Sequence, residues 1–211
     1  MRKTTKADFA LCISNYAFAA VLCAVAAGCF NEPEPAYKSV PAENRVYLSG
    51  KGLADLSKVG DAFAAGAAID YLNLDRNGLT NVGEVASLTG LKWLRLNGNR
   101  LSSLPDLKPL VKLRRIYLRD NRFEAVPETL KDLPALTDID LSGNPLKEVP
   151  SWLAAKPGLL NLSFSRTHVT SLPTDLSAWK SLKTLQLGEL QLSAAEMARV
   201  RKALPGVAIV F

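Results

Sequence analysis

Three stretches of this sequence superimpose without a gap: LKWLRLNGNRLSSL (91–104), LRRIYLRDNRFEAV (113–126) and LTDIDLSGNPLKEV (136–149). Their first residues, Leu91, Leu113 and Leu136, are 22 and 23 positions apart. All three fit L-x-x-L-x-L-x-x-N-x-L-x-x-L, with Ile, Phe or Val allowed at the apolar places. The pairs Leu94/Leu96, Ile116/Leu118 and Ile139/Leu141 are two apart, so on an extended strand both members face the same side. A unit this short cannot bury that face alone. Stacked units can, with their strands side by side in one parallel sheet. Asn99, Asn121 and Asn144 recur at one offset, where the chain leaves the strand. An Asn amide carries two donors and an acceptor, enough to satisfy turn backbone groups that stacking would otherwise bury unpaired. An amphipathic helix explains neither the Asn nor the period.

The frame extends in both directions. Upstream, Leu72, Leu74, Asn77, Leu79 and Val82 form another unit. A worn first unit carries Val46, Leu48, Leu53 and Leu56, with Lys51 in the Asn place. The alanine-rich stretch 58–68 is expected to be a short helix covering the open end of the core. Downstream come Leu159, Leu162, Phe164, Val169 and Leu172 with Thr167 in the Asn place, then Leu182, Leu185, Leu187 and Leu192 with Leu190 there. Thr167 is expected to supply part of the Asn bonding; Leu190 cannot. Pro127, Pro150 and Pro173 each follow the last apolar place and start the return. Leu130, Leu153 and Leu176 are expected to point inward from short helical turns. Gly78, Gly98 and Gly143 lie in turns and are expected to be backbone necessities. Ser193-Ala-Ala-Glu196 is a capping box that opens a helix ended by Pro205-Gly206. Val207, Ile209 and Phe211 alternate as a last strand, and Val207 falls 22 residues after Leu185.

On these residues the chain resembles the leucine-rich repeat family over most of its length. The resemblance implies an α/β fold, a solenoid with a curved parallel sheet on one side and short helical or irregular convex returns on the other. Residues 45–211 form the repeat domain, with an N-terminal cap unit and a helix-strand cap at 193–211.

The leader has a different character. Arg2, Lys3 and Lys6 precede nineteen uncharged residues, FALCISNYAFAAVLCAVAA (9–27), which then meet Gly28-Cys29. A basic start, an apolar middle and small residues before a polar break describe a secretory signal. AAGC (26–29) resembles a bacterial lipobox, although Ala26 stands where that motif usually has a larger aliphatic. The resemblance implies a signal peptide at 1–28, lipidation of Cys29 and a cell-envelope location in a bacterium, at the outer membrane or cell surface. An ordinary secretion signal or an uncleaved anchor are the alternatives. All three cysteines, Cys12, Cys23 and Cys29, lie in this leader, so cleavage before Cys29 leaves one thiol and no internal disulfide. Residues 29–44, with Pro33, Pro35 and Pro41, are expected to be an extended tether.

Little in the sequence suggests catalysis. The lone His168 sits on a turn, there is no His/Cys cluster for a metal, and no cofactor or phosphate-binding motif occurs. Asp138 and Asp140 face one side of one strand, an arrangement more common on a solvated or partner-facing surface than in acid–base work. Three basic residues and one acidic residue lie in 1–28, so the formal charge falls from +6 to +4 without them. That excess is mild and interspersed, and does not point to nucleic acid.

The positions between the apolar strand places carry more information, because they face away from the core. One column is Arg45, Tyr71, Trp93, Arg115, Asp138, Asn161, Thr184; its neighbour is Tyr47, Asn73, Arg95, Tyr117, Asp140, Ser163, Gln186. Neighbours in a column stand about 5 Å apart. Tyr47, Tyr71, Trp93, Arg95, Arg115, Tyr117 and Arg119 therefore gather at the N-terminal half, expected as exposed side chains of the types common at interface hot spots. Asp138 and Asp140 follow and reverse the sign. The expected function is non-enzymatic: a membrane-tethered module recognising a protein or peptide on its concave face through these nine residues. A carbohydrate or peptidoglycan ligand and a structural envelope role are the alternatives. Bacterial repeat proteins that are ubiquitin ligases use a catalytic cysteine in a further domain, which the cysteine distribution here does not provide.

Overall fold

The computed structural model describes residues 44–57, 59, 63 and 68–211. The leader, Cys29 and the tether as far as residue 43 lie outside the described residues, as does most of the helix expected at 58–68. Val59 and Phe63 from that stretch are described, and both are buried in the core.

Among the described residues, eight three-residue strands form one parallel sheet in chain order: β1 (Arg45–Tyr47), β2 (Tyr71–Asn73), β3 (Trp93–Arg95), β4 (Arg115–Tyr117), β5 (Asp138–Asp140), β6 (Asn161–Ser163), β7 (Thr184–Gln186) and β8 (Ala208–Val210). The strands are short, but the ladder outruns them. Leu96 N donates to Tyr117 O and Gly98 N to Arg119 O (both 2.8 Å), so coil-to-coil pairing continues into the turn. The central strand residues Leu72, Leu94, Ile116, Ile139, Leu162 and Leu185 pair across the sheet and are buried. They join Leu74, Leu96, Leu118, Leu141, Phe164 and Leu187, one step past the strands, in a continuous core.

The Asn ladder holds the turn side of that core. In the third coil, Asn99 Nδ2 donates to Leu96 O (2.9 Å) and to Leu74 O of the coil before (3.0 Å), while its Oδ1 accepts from Leu79 N (3.2 Å). Asn121 and Asn144 repeat the arrangement one and two coils on. Asn77 reaches back to Leu48 O and accepts from the Lys51 and Leu53 amides, so the worn first coil is satisfied from its neighbour. The ladder stops at Thr167. Its Oγ1 is buried and has no hydrogen-bond partner, contrary to the expectation that Thr would share the Asn role. The threonine side chain is one atom too short to span to the preceding coil. Thr167→Asn should add the missing rung and raise stability by about 1 kcal/mol, a rise in Tm of about 3 °C for a domain of this size. A thermal melt that drops would show that the site does not accept the amide.

The residue before each Asn place has left-handed backbone: Gly50, Arg76, Gly98, Asp120, Gly143, Arg166 and Glu189 all have φ between 53° and 66°. Gly98 and Gly143 take this conformation without strain, but non-glycine residues adopt it in four other coils, so glycine is favoured there rather than required as expected. Gly78 is not in that region; it lies against Leu53 O, to which its own N–H donates (2.8 Å). A side chain on Gly143 would also collide with Asp120 Oδ1, which crosses above it to Arg166 (3.0 Å).

The returns alternate short helical pieces and turns. The 3-10 turns Gly83–Ser87, Glu128–Leu130 and Ser177–Ser181 and the helix α1 (Ser151–Ala154) carry Val85, Leu130, Trp179 and Leu153 into the core. Leu176, just before the third of these turns, is buried too. Lys156 is buried behind α1, its Nζ donating to Lys131 O (3.0 Å) and Leu133 O (2.9 Å), and burial lowers its pKa. The cap helix α2 (Ala194–Ala203) begins as expected, with Ser193 Oγ accepting from Glu196 N (3.1 Å). The other half of the box differs: the Glu196 carboxylate accepts from Leu172 N (2.8 Å) and Arg199 instead. The Arg199 hydrogen bond holds that carboxyl below its usual range. Arg199 in turn donates to Leu172 O (3.0 Å), so a local ion pair clamps the cap to the coil before it. The last strand also departs from expectation. Leu185 pairs with Ile209, 24 residues on, rather than with Val207, because the ten-residue α2 lengthens the return.

Candidate functional site

The sheet face opposite the core bears both columns in the register read from the sequence. Arg45, Tyr71, Trp93, Arg115, Asp138, Asn161 and Thr184 are successive partners, as are Tyr47, Asn73, Arg95, Tyr117, Asp140, Ser163 and Gln186. Arg119 belongs to neither. It lies in the turn after β4, exposed, with its Nε 3.2 Å from Asp120 Oδ2.

The first column, joined by Tyr47 from the second, is a chain of contacts. Tyr47 and Tyr71 ring centroids are 5.2 Å apart, and Tyr71 meets Trp93 edge-on at 5.8 Å. The Arg115 guanidinium lies 4.3 Å over the Trp93 ring and its Nε is 3.7 Å from Asp138 Oδ2. Asp138 also accepts from Asn161 Nδ2 (2.7 Å) and Thr137 Oγ1 (2.5 Å). Such aromatic and cation–π neighbours stabilise one another beyond their burial. Tyr71 and Trp93 form a buried pair separate from the main core, 2% and 6% exposed. This corrects the expectation that both are exposed, since among the described residues only Tyr47, at 37%, is an exposed aromatic. Asp138 is buried as well, at 7%. Alternation of residue types tells which face a side chain joins, but not how deeply its neighbours cover it.

The second column is more open. Arg95 Nη2 pairs with Asp75 Oδ2 at 2.6 Å, and the Arg95 guanidinium lies 5.8 Å from the Tyr117 ring centre. Asp75, which the repeat pattern does not single out, is buried. Desolvation pushes its carboxyl up, partly offset by Arg95 and by the Asn97 amide. The one trace of it in the sequence is position: it sits where the ladder meets the turn, and it receives Asn97 N at 2.8 Å. Arg95, Arg115, Tyr117 and Asp140 are half-buried and present part of their surface outward. C-terminal to them, Tyr117, Asp138, Asp140, Asn161, Thr184 and Gln186 line a hollow of about 240 Å³. Among the described residues no group of three His, Cys, Asp or Glu side chains could hold a metal. Asp138, tied to an arginine, an amide and a hydroxyl, has the surroundings of a structural carboxylate.

The leucine rich repeat family profile matches residues 89–146. No curated protein matches the chain. Among solved structures, internalin C2 of Listeria monocytogenes is similar at 20% identity, over 80% of this chain and 70% of that one, with a TM-score of 0.65. A leucine-rich repeat protein of Leptospira interrogans is similar at 22% identity, over 76% of this chain and 58% of that one, with a TM-score of 0.42. The fold is a leucine-rich repeat solenoid: eight parallel strands in one unclosed sheet, with the repeat profile on its central coils. Proteins of this repeat class generally act as protein-interaction modules and are typically non-catalytic.

Proposed function

We propose that this protein is a non-catalytic recognition module whose concave sheet face binds a protein or peptide, and that a lipid on Cys29 tethers it to a bacterial envelope membrane. The observation that carries the reading is the half-exposed row Arg95, Arg115, Tyr117 beside exposed Tyr47. Tyr47 and Arg115 pack on the buried Tyr71 and Trp93 rings, and Arg95 is held by Asp75 and lies against Tyr117. Arg and Tyr held by neighbours lose little side-chain entropy on binding, which suits them as anchors. The reversal of sign at half-buried Asp140 would orient a partner of matching polarity.

One experiment addresses both halves. Cells expressing wild type, Cys29→Ala and Arg115→Ala/Tyr117→Ala are fed an alkyne palmitate and then crosslinked. Wild type and the double variant should take up label, and Cys29→Ala should not. The double variant should lose about tenfold or more of the crosslinked partner, as expected when two hot-spot side chains are truncated. Arg115 and Tyr117 are chosen over Trp93 because removing a buried ring would disturb the sheet itself. Label on Cys29→Ala would sink the lipid anchor, and an undiminished partner band would sink the concave-face reading.

A further inference from the structure

The hollow at the C-terminal half of the concave face has an electrostatic imbalance. Asp138 is compensated by Arg115 at 3.7 Å. Asp140, its neighbour two residues on, has no cation within 4 Å among the described residues, whereas Asp70 and Asp75, aspartates that are likewise not exposed, each have one. Asp140 is half-buried and lies on the wall of the 240 Å³ hollow. A charge held there, partly out of water, attracts an opposite charge more strongly than an exposed one does. The rest of the lining adds no charge but offers acceptors: Asn161 uses Nδ2 on Asp138, leaving its Oδ1, and Thr184 contributes a hydroxyl.

The geometry at Asp140 selects among cations. Its Oδ1 accepts from Ser142 N at 2.9 Å, closing the turn after β5, which leaves Oδ2 for a ligand. A guanidinium recognises a carboxylate best through two parallel bonds and so wants both oxygens. An ammonium is a compact charge with three donors. One carboxylate oxygen and two neutral acceptors satisfy it. We infer that this hollow is a subsite for a lysine side chain of the partner, with Asp140 as the counter-charge and Asn161 and Thr184 as flanking acceptors. The inference rests on the concave-face reading and adds the chemistry of one contact: the partner presents a lysine next to whatever engages Arg115 and Tyr117.

The probe is Nα-acetyl-lysine methylamide, with the norleucine and arginine analogues and N-acetylglucosamine as comparisons, added to 15N-labelled full chain at low salt. Shifts are followed at the Ile139, Asp140 and Leu162 amides. The lysine analogue should move these amides in a saturable way and the norleucine analogue should not. Raising the salt should weaken the response. Asp140→Asn keeps the Oδ1 acceptor for Ser142 N and should weaken the lysine analogue about tenfold, the loss of one close charge. Thr184→Lys offers the hollow an ammonium of its own and should abolish the response by filling it. An equal response to norleucine, a stronger one to arginine or to N-acetylglucosamine, or an unchanged response in Asp140→Asn would overturn the assignment. If the lysine analogue fails while Arg115→Ala/Tyr117→Ala still loses its crosslinked partner, the subsite falls and the recognition face stands. If the double variant keeps its partner, the recognition face falls whatever the analogue does.

Discussion

Asn121→Asp is expected to lower the stability of the repeat domain by roughly 3–5 kcal/mol at pH 7, although it changes one nitrogen to oxygen. The Asn121 amide donates to Leu96 O and Leu118 O at 2.9 Å each and accepts from Leu101 N at 3.1 Å. Aspartate keeps the acceptor and loses both donors, so a carboxylate oxygen would face two carbonyl oxygens in a buried site. Neither carbonyl is left without a donor: Leu96 O still receives Asn99 Nδ2 and Leu118 O still receives Asn144 Nδ2. Most of the penalty is therefore the buried charge rather than orphaned backbone. Asn121→Ala separates the two terms. It orphans only Leu101 N and should cost about 2–3 kcal/mol. The pH dependence carries the sign. Burial and the facing carbonyls raise the folded-state pKa of an aspartate at 121 above its unfolded value, so the penalty is full above that raised pKa. As pH falls through it, protonation restores a donor and the gap to wild type narrows. Urea titrations at several pH values check this, and a gap that widens toward acid would contradict the ladder geometry.

The ladder was legible because its signal is chemical as well as periodic. Few arrangements besides stacked coils demand an Asn at a fixed offset from a leucine frame, and the columns on the opposite face followed from the same frame. Other features left weaker traces. The left-handed position before each Asn place is filled by Gly in some coils but by Arg76, Asp120, Arg166 and Glu189 in others. Each non-Gly residue there costs about 1 kcal/mol, which neighbouring coils impose through the turn ladder, and the order of residues does not display it. Lys156 looks like any surface lysine until the return folds two carbonyls onto its ammonium. The slip at β8 depends on how many residues α2 consumes, a number the strand alternation does not contain. Burial of Tyr71 and Trp93 is the consequential case for the site. It moves these rings from expected contacts to the base beneath Tyr47 and Arg115, and places the accessible chemistry nearer β4 and β5.

The strongest single-residue dependence outside the ladder should lie at Trp179, on the convex side. Its ring is fully buried in the 3-10 turn of the sixth coil, 6.4 Å from Phe164 of the same coil in a stacked arrangement, and its Nε1 donates to Leu153 O of α1 in the coil before at 3.0 Å. The residue thus joins the fifth and sixth coils, in the unit where the Asn ladder has ended at Thr167. Trp179→Ala should cost roughly 3–5 kcal/mol, the range for emptying an aromatic site in a core that only partly collapses. Trp179→Phe retains much of the packing and removes one of two hydrogen bonds to Leu153 O, which still accepts from Lys156 N (3.2 Å), and should cost about 1 kcal/mol. In a stack of near-neighbour contacts, the damage should also be local. Hydrogen exchange in Trp179→Ala should accelerate first at β6, β7 and α2, while β2 to β4 keep their protection until global unfolding. Uniform acceleration across all eight strands would mean that the array unfolds as one unit, and that the missing rung at Thr167 is no boundary within it.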